Sequence, residues 1–84
     1  MSEVIKMKVF EVQLTSINDV KSFVNAACLQ PFDIDIVSGR YVIDAKSIMG
    51  IFSVDLSKPI RVEVHGTDED GREFYNAIKD FVID

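Results

Sequence analysis

A single cysteine, a single histidine, two prolines and nine basic residues are all that this 84-residue chain holds of those types. One cysteine, Cys28, cannot close an internal disulfide, which fits a reducing, cytoplasmic setting. One histidine, His65, has no second metal-type ligand at a suitable spacing, so no metal centre is expected. Nine Lys and Arg against 14 Asp and Glu give a formal net charge of −5. The basic residues are scattered and form no stripe. Phosphate-backbone affinity comes mainly from clustered Lys and Arg, so nucleic acid is excluded as a partner, and an anionic membrane surface with it. No apolar run approaches a membrane span, and no basic start leads into an apolar stretch, so neither a spanning helix nor a signal peptide is expected. A Gly-rich phosphate loop, a CxxC pair and a hydrolase elbow are also missing, and no cofactor is expected.

What is there is ordinary globular composition, 48% hydrophobic and 27% charged, enough for one modest core in a single domain over residues 1–84. Residues 4–14 alternate as a strand, with Lys8, Phe10, Val12 and Leu14 on one parity. Ser16-Ile-Asn-Asp19 reads as a capping-box variant. Ile17, Val20, Val24, Ala27 and Cys28 follow at helical spacing to about Leu29, and Pro31 stops the helix. Phe32, Ile34 and Ile36 alternate inward against Asp33 and Asp35 outward. Ser38-Gly39 marks a tight turn, and Arg40 to Asp44 returns as a strand.

A short apolar helix at 47–52 comes next, followed by a loop through Lys58-Pro59 and a strand over Ile60–His65. Thr67-Asp-Glu-Asp70 is a second capping box, and Phe74, Ile78, Phe81 and Val82 make one stripe of a carboxy-terminal helix. The order is βαββαβα. Short connections and one polar face per strand predict an antiparallel sheet covered by helices on one side, an α+β fold.

The segment Tyr41 to Ser53 is the most informative. Ser47 stands where a hydroxyl caps a helix start, and a phosphate there would meet the same backbone donors. Ile48, Met49, Ile51 and Phe52 are too many apolar groups for one small helix to bury. Ile51 is expected in the core, and Ile48, Met49 and Phe52 are candidates for a docking patch, Met being suited to adaptable contacts.

Lys46-Ser-Ile-Met-Gly50, in a chain of this length and element order, resembles the regulatory-serine segment of HPr, the histidine-containing phosphocarrier protein of the sugar phosphotransferase system. The resemblance covers essentially the whole chain. It implies an HPr-like open-faced β-sandwich, a four-stranded antiparallel sheet with three helices on one face. It also implies that Ser47 matches the serine modified by HPr kinase/phosphorylase, and that Ile48, Met49 and Phe52 match positions used for docking proteins. The family's carrier histidine opens the first helix in a Gly-x-His-Ala-Arg-Pro-like motif. Ser16-Ile-Asn-Asp-Val-Lys21 matches that segment, with Asn18 at the histidine, Val20 at the arginine and Lys21 at the proline. An Asn carboxamide is not nucleophilic, so no catalytic residue is expected and the chain is not read as an enzyme.

Three readings follow. The first is a regulatory protein-binding module that resembles the catabolite-repression homologue of HPr. Its partners would be proteins, such as HPr kinase/phosphorylase or a transcriptional regulator. The second is a phosphocarrier with an unorthodox acceptor, for which Asp19 is the candidate. The third is a small-molecule sensor, for which the residues offer no pocket signature. Of the remaining residues, Cys28 is expected to be a small buried hydrophobe. His65 is expected to be a surface histidine with Asp33 and Asp35 on the same outward parity, and the two aspartates are expected to keep the open sheet face soluble.

Overall fold

The computed structural model describes residues 8–83. Its elements are β1 (Val9–Val12), α1 (Ile17–Cys28), β2 (Asp33–Ser38), β3 (Tyr41–Asp44), α2 (Ile48–Phe52), β4 (Ile60–His65), α3 (Asp68–Ala77), a 3₁₀ turn (Lys79–Phe81) and β5 (Val82–Ile83). All strand pairs are antiparallel, in the order β3-β2-β4-β1-β5. Three helices cover one face, as the sequence predicts.

The alternation of the strands decides which face is covered. Phe10 and Val12 of β1, Ile34 and Ile36 of β2, and Ile60, Val62 and Val64 of β4 are buried. Against them lie Val20, Phe23, Val24 and Ala27 of α1, Ile51 of α2, and Phe74 with Ile78 at the end of α3. Phe74 joins the layers, its ring edge-on to Phe23 at 5.7 Å between centroids and tilted against Phe10 at 6.5 Å. The other face carries Glu11, Arg61, Glu63 and His65, so this face of the sandwich stays open.

Four expectations change in detail. The strand expected over 4–14 is observed as Val9–Val12, and its first residues lie outside the described part. The expected carboxy-terminal helix ends at Ala77. Ile78, at φ −123° and ψ 22°, leaves the helical region, and a single 3₁₀ turn follows. Val82 and Ile83 then pair with Val12 and Glu11, and Gln13 N–H donates to Phe81 O at 2.9 Å. Among the described residues the sheet therefore has five strands where four were expected. β1 would otherwise be an unpaired edge, and the extended tail satisfies its backbone groups.

The third change concerns the first capping box. Asp19 N–H does donate to Ser16 Oγ at 3.0 Å. Its carboxylate closes the loop one residue early, accepting from Thr15 N–H at 3.0 Å and Thr15 Oγ at 2.9 Å. The fourth is α1's apolar stripe, which is narrower than its spacing implied. Ile17 is 63% exposed, and Cys28 is exposed too, with Sγ 3.7 Å from Lys46 O. Both sit at helix ends, where the underlying sheet no longer reaches them.

Candidate docking site

Ser47 sits in the turn that ends β3. Its N–H donates to Asp44 O at 3.0 Å, and Asp44 Oδ1 accepts from Lys46 N–H at 2.9 Å. From there Ser47 caps α2, its Oγ accepting from Gly50 N–H at 3.2 Å, with its own backbone extended at φ −103°, ψ 103°. The hydroxyl is on the surface. Gly50 makes this packing possible. A Cβ there would lie 2.6 Å from Ile43 Cγ2 and 3.2 Å from Ser47 Oγ, so α2 rests directly on β3 only without a side chain at that position.

The five residues of α2 divide as expected for Ile51, which is fully buried. Met49 is 76% exposed and Phe52 41% exposed. Ile48 is only half-buried and packs partly on the core, so the free apolar surface of α2 consists mainly of Met49 and Phe52.

A groove of about 600 Å³ runs between the start of α1 and the end of α2, lined by Leu14, Ser16, Ile17, Phe52 and Leu56 among others. Gln13 Nε2 closes one side by donating to Leu56 O at 3.1 Å. Sequence reasoning missed Ile17, because its spacing placed it on the buried stripe. Its position immediately after the Ser16 cap was the available signal, since a first-turn residue overhangs the core.

At the start of α1, Asn18 is exposed and Asp19 is tied to Thr15. Those hydrogen bonds, the one from Thr15 N–H foremost, hold the Asp19 carboxyl below its ordinary value of 3.8. His65 lies instead at the end of β4 on the open face. Its Nε2 is 2.9 Å from Asp35 Oδ2, although its backbone partner across the sheet is Asp33. Among the described residues no group of three or more His, Cys, Asp or Glu side chains is placed to hold a metal ion.

The family description that matches this chain is "PTS HPr component phosphorylation site", over residues 15–84. The chain belongs to the HPr family. It is similar in structure to HPr-C-His from Thermoanaerobacter tengcongensis, with a TM-score of 0.70 and 25% identity over 87% of this chain and 88% of that one. It is likewise similar to the phosphocarrier protein HPr from Bacillus anthracis str. Ames, with a TM-score of 0.68 and 27% identity over 89% of this chain and 95% of that one. No curated protein sequence matches it. Among the described residues no helix of this HPr-family chain is long and apolar enough to cross a membrane.

Proposed function

We propose that this chain is an HPr-fold regulatory module that binds proteins through α2 and its surroundings and relays no phosphoryl group through histidine. In this reading Asn18 stands in the place of the carrier histidine, Ser47 is the residue a kinase modifies, and Met49, Phe52 and the exposed edge of Ile48 form the contact surface. The observation that carries it is the juxtaposition at α2: an exposed cap hydroxyl two residues before Met49, 76% exposed, on a helix that fully buries only Ile51. Phosphate on Ser47 would add about −1.5 to −2 charges beside this patch and change which surfaces it accepts. Ile17 extends the patch across the groove to α1.

Relay through Asp19 is disfavoured by its geometry. Its Oδ2 is shared by two donors from Thr15, which stabilise the carboxylate and blunt it as a nucleophile. The direct test is transfer of labelled phosphate from phosphoenolpyruvate through the general phosphotransferase enzyme. The reading expects no label on this chain. Stable labelling would overturn it, and loss of that label in Asp19→Asn would assign the acceptor.

A further inference from the structure

We propose that β3 is a self-pairing edge, through which two copies of the chain join their sheets about a two-fold axis at Val42. This surface is separate from the α2 patch and does not depend on the function assigned there.

β3 pairs with β2 alone among the described strands. Its hydrogen-bond phase follows from one contact: Ala45 N–H donates to Ile34 O at 2.8 Å, in register with the Asp35–Asp44 and Ser38–Tyr41 pairs. Polar groups alternate along an antiparallel strand, so the N–H groups of Tyr41, Ile43 and Ala45 face β2, and those of Val42 and Asp44 face outward. The carbonyls of Arg40 and Val42 face outward with them. The side chains at this edge are also uncovered, Tyr41 at 66% and Val42 at 63% exposure. A strand of this kind is a template for another strand, and Tyr41–Asp44 carries neither a proline nor a bulge to prevent it.

Charge selects both the partner and the register. With the axis at Val42, Val42 N–H and C=O exchange two bonds with Val42 of the second copy. Each Asp44 N–H also meets the Arg40 carbonyl opposite, giving two more bonds. The same register sets Arg40 against Asp44 twice, so opposite charges face each other at both ends. An axis at Ile43 would set Arg40 against Lys46, and an axis at Asp44 would set that carboxylate against its own copy. Only the Val42 register is complementary. Arg40 has no ion-pair partner among the described residues. Asp44 uses Oδ1 for Lys46 N–H and retains Oδ2.

The test is sedimentation velocity of the full chain from micromolar to millimolar concentration, with amide hydrogen exchange at both ends of the range. The expected result is a shift toward twice the monomer mass as concentration rises, together with slower exchange at the Val42 and Asp44 amides. Val42→Pro removes only an outward N–H and keeps the intrachain ladder, and it should stay monomeric throughout. Arg40→Asp should weaken association by about tenfold or more, since it sets like charges opposite each other. The double variant Arg40→Asp with Asp44→Arg should recover it. Monomer mass at millimolar concentration would overturn the proposal, as would a dimer that survives Val42→Pro.

Discussion

Ser47 and Ile51 lie four residues apart and should answer differently to substitution. The Ser47 side chain has one structural duty, the bond from Gly50 N–H to its Oγ. Ser47→Ala should therefore cost about 1 kcal/mol, the usual worth of an N-cap. A melting temperature lower by about 4–8 °C is expected for a domain of this size. Ser47→Asp keeps an acceptor at the cap and should lose less. Ile51→Ala removes a fully buried side chain from beneath α2, and about 2–5 kcal/mol should go with it. Met49→Asp should change the melting temperature very little, because most of Met49 is in solvent. Thermal unfolding of the four variants separates these roles. If Ser47→Ala were as destabilising as Ile51→Ala, the assignment of Ser47 as a surface cap would be wrong.

Asp19 makes a prediction in pH. Its folded-state pKa lies below the ordinary 3.8 because Thr15 N–H, and then Thr15 Oγ, donate to the ionised form. Folding therefore favours the carboxylate, and its contribution is complete above 3.8. It disappears as the pH falls below that value toward the folded pKa. Asp19→Asn should flatten this part of the acid limb of a stability–pH curve while leaving neutral pH outside the titration. Asp55 has the same sign, lowered first by the Ser57 hydroxyl and then by the Ser57 N–H, so some slope should persist in the variant. An unchanged acid limb would show that the Thr15 contacts do not favour ionisation.

At the scale of elements, Gly50 fixes how α2 meets the sheet. Alanine has the better helix propensity, by about 1 kcal/mol. A Cβ at position 50 would nevertheless collide with Ile43 Cγ2, and overpacking of this kind costs about 1–3 kcal/mol. Gly50→Ala should therefore lower stability despite its propensity. The effect should shrink in an Ile43→Ala background, which a double-mutant cycle by urea unfolding would detect. The strongly periodic and capped segments were legible in the sequence: α1, the Ser38-Gly39 hairpin with Gly39 at φ +61°, β4, and the complete Thr67–Asp70 box at α3. Helix ends were less so. Ile17 and Cys28 fit a helical period but overhang the sheet, because periodicity does not report how far the opposing layer extends. The last turn of the expected third helix lost to the open edge of β1, a competition that only the paired strands reveal. At the site, Ser47 and the split between Ile51 and Met49 could be read from residue types. The groove joining Ile17 to Phe52 brings residues far apart in the chain together and has no local signature.

Across the whole molecule, the two faces of the sandwich carry different chemistry. The open face holds the His65–Asp35 pair and the Arg61–Glu63 pair, at 2.9 Å and 3.2 Å, and stays solvated. The helical side exposes Met49, Phe52 and Ile17 beside the Ser47 hydroxyl. In this account a protein partner is recognised on the helical side, and phosphate on Ser47 changes that recognition without refolding the domain. The most direct measurement is intact mass after incubation with an HPr kinase and ATP, followed by mapping of the modified residue. One phosphate per chain is expected, located on Ser47 and absent from Ser47→Ala. No added mass, or phosphate on any other residue, would contradict it.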